Sequence, residues 1–191
     1  MGPQKKLESS AKVIEKELNA DPQQRLRMLE ARFLAGGLSD SNSRKRGEAR
    51  EKLLKLGRAA VPALLSSLQD ANANVRWQAA KALSLLHDPG TTTDLMNAME
   101  DDDFGVRWLA AEGLIAMGPA SLEVLVQGLI SCFDSIRIRE GSRHVLRVLV
   151  DNGYTDESIE KLLHALQGLG PSEEVAWAAE AAREKIKRMD H

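Results

Sequence analysis

The 191-residue chain contains one cysteine, one tyrosine, three phenylalanines and three tryptophans, so only 4% of it is aromatic. Cys132 alone excludes an internal disulfide framework and any zinc site built from several cysteines. No stretch approaches the roughly 18 apolar residues that a bilayer crossing needs. The opening residues MGPQKKLESSAKVIEKEL scatter charges where a secretory signal would carry an apolar core. These absences predict a cytoplasmic protein without a membrane segment, held together by packing. What is present, 43% hydrophobic and 28% charged residues, is the balance of a soluble globular chain.

Charge is divided unevenly along the sequence. Residues 1–60 hold 14 Lys/Arg against 8 Asp/Glu, a net of +6, whereas residues 61–191 hold 12 against 20, a net of −8. The basic part could suit an anionic partner, but its acids and bases alternate (Lys12, Glu15, Lys16, Glu17), as on a solvated helix. Its densest point, Arg44-Lys45-Arg46, is too short for a nucleic-acid motif.

The strongest signal is internal repetition. Asn74-Val75-Arg76-Trp77-Gln78-Ala79-Ala80-Lys81-Ala82-Leu83 recurs 31 residues later as Gly105-Val106-Arg107-Trp108-Leu109-Ala110-Ala111-Glu112-Gly113-Leu114. Val61 to Leu68 maps onto Thr92 to Met99 at the same offset, and onto Leu122 to Leu129 after 30 more. Both elements have helical periodicity: Val75, Ala79, Ala82, Leu83 and Leu86 share one arc, as do Val61, Leu64, Leu65 and Leu68. Leu56-Gly57, His87-Asp88-Pro89-Gly90 and Met117-Gly118-Pro119 end one helix and open the next. Turns rich in Asp and Asn, at residues 69–74 and 100–103, offer side-chain oxygens to cap the following helix. Each unit is therefore a helical hairpin of about 31 residues. A lone hairpin cannot bury its apolar faces, so the units must stack as an all-α, α-solenoid fold.

The spacing predicts first helices near 44–56, 74–87, 104–117, 136–150 and 173–188, and second helices near 60–69, 90–99, 119–131 and 156–168. Residues 1–20 read as an N-terminal helix or flexible arm, and residues 21–190 as a single repeat domain. The last helix, with its polar end Arg183-Glu-Lys-Ile-Lys-Arg188, should close the stack.

Val75-Arg76-x-x-Ala79-Ala80-x-Ala82-Leu83 with its copies, the Leu-Gly and Met-Gly helix ends and Asp88-Pro89 resemble HEAT repeats of the short type first described in phycobilisome lyases. The resemblance covers residues 21–150 well and 151–188 loosely. It implies a right-handed superhelix of about five hairpins whose second helices line a concave face, commonly used to bind protein. A minority of such relatives are enzymes.

Arg46, Arg76, Arg107 and Arg139 form a ladder in register with acidic turns, and their guanidinium groups suit bidentate bonding to turn carbonyls or carboxylates. Trp77 and Trp108 point away from the core arc, and with Trp177 read as packing between neighbouring units. Glu51, Lys81, Glu112 and His144 make an outer row. On the concave side lie Ala63, Asp94, Val124 and Lys161 beside Ser66, Asn97, Gln127 and His164, flanked by Glu100 and Glu123. This face is polar, slightly acidic and nearly free of aromatics, which disfavours a nucleic-acid groove.

HEAT-like di-iron hydroxylases need recurring His-Glu pairs, whereas His87, His144 and His164 precede Asp88, Val145 and Ala165; no metal and no cofactor is expected. Cys132 has no histidine within a preceding turn and reads as an inert thiol. The expectation is a non-catalytic scaffold that binds a protein partner through Asp94, Asn97, Glu100, Glu123, Gln127 and His164. The interval of 37 residues between Leu125 and Leu162 adds a loop in which Tyr154 could touch a ligand. The rival readings are an accessory subunit of a bilin or other chromophore lyase, or a phycobilisome-related factor, and a HEAT-like nucleic-acid-binding protein. Symmetric self-association through a concave or terminal face, giving a homo-oligomer, also stays open.

Overall fold

The computed structural model of the chain describes residues 21–154, 156–168 and 172–189, and these are helices and turns with no strand among them. The expected N-terminal helix or arm, residues 1–20, lies outside the described residues. The helices are α1 Pro22–Gly36, α2 Ser43–Leu56, α3 Val61–Ser67, α4 Ala73–Leu86 and α5 Thr92–Ala98, followed by α6 Phe104–Ala116, α7 Leu122–Ser131, α8 Ile136–Asp151, α9 Glu157–Gln167 and α10 Ser172–Met189. The first helices fall within about two residues of their sequence-derived bounds. The second helices α3, α5 and α7 begin later than periodicity suggests. Their proline-bearing or glycine-led openings, Gly57–Ala60, Pro89–Thr91 and Gly118–Ser121, form short 3-10 turns instead.

Side-chain caps open the helices as the acidic and Asn-rich turns predict. Asp21, Asn42, Asp103, Ser135 and Asp156 each accept a hydrogen bond from a backbone N–H of the first turn, at 2.9, 2.9, 3.0, 3.2 and 2.9 Å. The first helices end on a left-handed residue at one shared repeat position: Gly57 (φ 61°), His87 (φ 49°) and Gly118 (φ 59°). His87 thus fills a glycine's place, a costlier conformation for a residue with a Cβ.

The arginine ladder is a structural brace over three rungs. Arg46 donates to the carbonyls of Asp40 and Ser41, Arg76 to those of Asp70 and Ala71, and Arg107 to those of Asp101 and Asp102, at 2.7–3.1 Å. The fourth rung differs. Among the described residues Arg139 makes no such bond to the turn before α8; Arg137 instead crosses to the preceding repeat's turn, donating to the Glu100 carbonyl at 2.8 Å and pairing with Asp102 Oδ1 at 3.1 Å.

The chain forms two compact units, one through Ala82 and one from Leu83 onward. In the first, α1 packs on α2 and α3, and Leu38, Leu53, Ala60 and Leu64 are fully buried. In the second, α6 packs on α8 and α5 on α7, first helices on first helices and second on second, around fully buried Leu95, Leu114, Leu125, Leu129 and Leu146. Each such leucine contributes about 2 kcal/mol of burial.

The last helix departs from the simple stacking expected of it. α10 packs mainly against α7 and α9. Its buried stripe, Val175, Ala179 and Ala182, is small enough to let two helix backbones approach closely. The longer interval before α9 takes that helix out of the 31-residue register, and α10 takes the flank of α7. Trp177 consequently stands 72% exposed instead of packing between units. Trp108 does bridge neighbours: its ring stacks on His144 of α8 at 4.7 Å, beside the 3.2 Å pair of His144 Nε2 with Glu112.

Candidate functional site

The face presented by the second helices of the second unit carries most of the residues singled out from sequence. On α5, Asn97 is exposed, and its side-chain amide meets no partner among the described residues. Asp94, in the first turn of the same helix, is half-buried. On α7, Glu123 and Gln127 are exposed. α5 and α7 meet where Met96 lies over Gly128, and Asn97 and Gln127 are each one residue from that contact.

Glu100 is tied into the scaffold. Its carboxylate accepts from the Ser135 hydroxyl, and its carbonyl accepts from Arg137. Gln127 is also engaged: its amide nitrogen donates to Ser131 Oγ at 3.3 Å, and its oxygen accepts from Arg183 of α10 at 3.4 Å. Helical periodicity predicts His164 next in this row. The structure brings Arg183 to Gln127 from 56 residues away, while His164 sits exposed in the last turn of α9. Tyr154 follows the left-handed Gly153 (φ 92°), and its N–H bonds the Leu149 carbonyl at 3.0 Å. With the 2.9 Å bond from the Gly153 N–H to the Val150 carbonyl, this makes a Schellman stop to α8. The residue read as part of an inserted loop therefore closes a helix.

Burial raises the Asp94 carboxyl above its ordinary value of 3.8, and a backbone hydrogen bond at the helix start partly opposes this. A carboxyl that protonates more readily when folded adds stability below its unfolded pKa and loses it as pH rises through the folded value. At neutral pH the buried charge is therefore a cost. Asp94→Asn is expected to melt at a higher temperature than the wild type at pH 7, with the gap closing as pH falls towards about 4. Thermal melts at several pH values test this, and a variant that melts lower at pH 7 would contradict it.

Among the described residues no group of three or more His, Cys, Asp or Glu could hold a metal ion, and no helix is long and apolar enough to cross a membrane. Cys132 is a half-exposed free thiol at the end of α7. What the geometry offers is a row of helices in the second unit with exposed amide and carboxylate side chains.

Fold and surface together define a helical-repeat platform of the α-solenoid class. The family model for HEAT repeats matches residues 30–115 and 61–147, more than half of the sequence, and the chain belongs to the HEAT-repeat family. A solved structure, that of the complex of CpcE and CpcF of phycocyanin lyase from Nostoc sp. PCC7120, contains a similar chain at 25% identity with a TM-score of 0.55. The match covers 80% of this chain and 97% of that one. No curated protein matches the sequence.

Proposed function

We propose that the chain is a non-catalytic HEAT-repeat scaffold that binds a protein partner across the exposed second-helix row of its second unit. The observation that carries this reading is the pairing of exposed Asn97, whose amide has no bond among the described residues, with exposed Glu123 on the neighbouring helix. An amide that can donate and accept suits an extended peptide backbone, and the carboxylate favours a basic side chain in the partner. Both stand on helices, so binding orders their side chains but not their backbone.

The test is capture of partners from source-cell lysate by the wild type and by the double variant Asn97→Arg, Glu123→Arg. Both positions are exposed, so the variant should keep its circular dichroism and melting temperature. A protein held by the wild type and lost about tenfold or more by the folded variant supports the reading. Equal retention by both would place binding elsewhere and overturn it.

A second reading is favoured by the likeness to a chain of the phycocyanin lyase complex: an accessory subunit of a chromophore lyase. Mixing the protein with a bilin and a candidate partner subunit distinguishes the two. A shifted bilin absorbance that needs this chain would support the lyase reading, and an unchanged spectrum would count against it.

A further inference from the structure

A helical repeat array needs a polar outer face on its first and last helices, because those helices have a neighbour on one side only. The first and last described helices of this chain do not follow that rule. α1 buries Met28 and Ala31, while Leu26, Leu29 and Phe33, on the opposite side of the helix, are 66%, 58% and 86% exposed. Their spacing of three and four residues makes a single apolar stripe. On α10, Trp177 lies opposite the buried Val175, Ala179 and Ala182. Phe33 and Trp177 are the two most exposed large hydrophobic residues described, in a chain with few aromatics to place.

We propose that copies of this chain associate head to tail, with the Trp177 face of α10 in one copy docking on the Leu26–Leu29–Phe33 stripe of α1 in the next. Charge selects this pairing over its alternatives. α1 carries Arg25, Arg27 and Arg32 against Glu30, whereas the first half of α10 carries Glu173 and Glu174, together with Glu180 that Arg183 pairs at 2.6 Å, and no basic residue before Arg183. Pairing α1 with α1, or α10 with α10, would set like charges against each other. Pairing α1 with α10 sets arginines against glutamates around an aromatic centre, the composition typical of an interface hot spot. Such a contact is heterologous, so it can repeat from copy to copy. One helix against one helix is a small interface, so the assembly should depend on concentration and weaken with salt.

Sedimentation velocity of the full chain over about 1–200 μM, at low and high salt, reads the assembly directly. The wild type should grow beyond the monomer with concentration, and less so at high salt. Phe33→Asp and Trp177→Arg change exposed positions and should fold normally, and each alone should weaken association about tenfold or more. Mixed in equal amounts they should form a 1:1 dimer and nothing larger, because one keeps a working α10 face and the other a working α1 stripe. Trp108→Ala, on α6 and outside both proposed faces, should behave as the wild type. The proposal is overturned by a wild type that stays monomeric throughout, whether residues 1–20 or a different protein covers α1. It is equally overturned if either variant alone assembles like the wild type, or if the mixture stays monomeric. None of these substitutions touches Asn97 or Glu123, so failure here leaves the partner-binding reading standing.

Discussion

Replacing Gly113 with valine is expected to lower the thermal midpoint of the protein by roughly 6–12 °C. A Cβ at this position of α6 would lie 2.8 Å from Leu95 Cδ1, 3.3 Å from Ser84 Cα and 3.4 Å from Ser84 Cβ. The leucine methyl can turn away. The Ser84 Cα cannot, because it is backbone of α4, and the two added methyl groups of valine would press the helices apart. Overpacking of this kind costs about 3 kcal/mol, and a chain of this size loses roughly 2–4 °C per kcal/mol. Gly113→Ala should be milder, since it adds one carbon and gains about 1 kcal/mol of helix propensity. Circular dichroism melts of the three proteins give the comparison. A valine variant melting within about 2 °C of the wild type would show that α4 and α6 separate more easily than the contacts imply.

Most helix positions were legible because the repeat presents the same evidence several times. Val75, Ala79, Ala82 and Leu83 share an arc, and all are buried. The Leu-Gly and Met-Gly ends correspond to left-handed residues, and the substitution of His87 at that position was readable as a helix end. Three arginine rungs were legible for the same reason. The fourth was not: six residues before Arg139 stands Phe133 instead of the Asp that opens the other three turns, and nothing periodic marks the reach of Arg137 to the preceding repeat's turn. The docking of α10 was hidden for a different reason. Val175, Ala179 and Ala182 form a generic small-residue stripe that fits many helix faces, and the sequence says nothing about which flank is vacant.

The surface row was legible only as far as exposure. Helical periodicity alone puts Asn97, Glu123 and Gln127 away from the core, and all three are exposed. Whether such a side chain is free depends on residues distant in sequence. Glu100 looks like another acidic member of the row, yet Ser135 and Arg137 from the next repeat hold it. Gln127 looks as free as Asn97 until Arg183 arrives from α10. Long-range partners of this kind leave no periodic trace, so periodicity cannot separate a brace from a binding residue.

In the same way, sequence periodicity marks Leu95, Met96 and Met99 as apolar but does not show what they meet. All three belong to the short α5 segment or its C-cap, and each lies against a glycine of a different helix: Gly113 of α6, Gly128 of α7 and Gly141 of α8. Side-chain bulk on one helix is thus matched by its absence on three others. Gly128→Leu should therefore destabilise the second unit by about 2–3 kcal/mol, because a Cβ there would collide with Met96 Cε and come within 3.1 Å of its Cγ and Sδ. Met96→Ala alone should cost about 2–5 kcal/mol, since the methionine is only 5% exposed and its removal leaves a void. Combined, the two changes return side-chain volume to the same space from the opposite helix. The double variant should be more stable than the sum of the single effects predicts, with a coupling of about 1–2 kcal/mol measured by urea denaturation. Strict additivity would mean that the collision is relieved by rotation of Met96 and that the fit between α5 and α7 does not depend on this glycine.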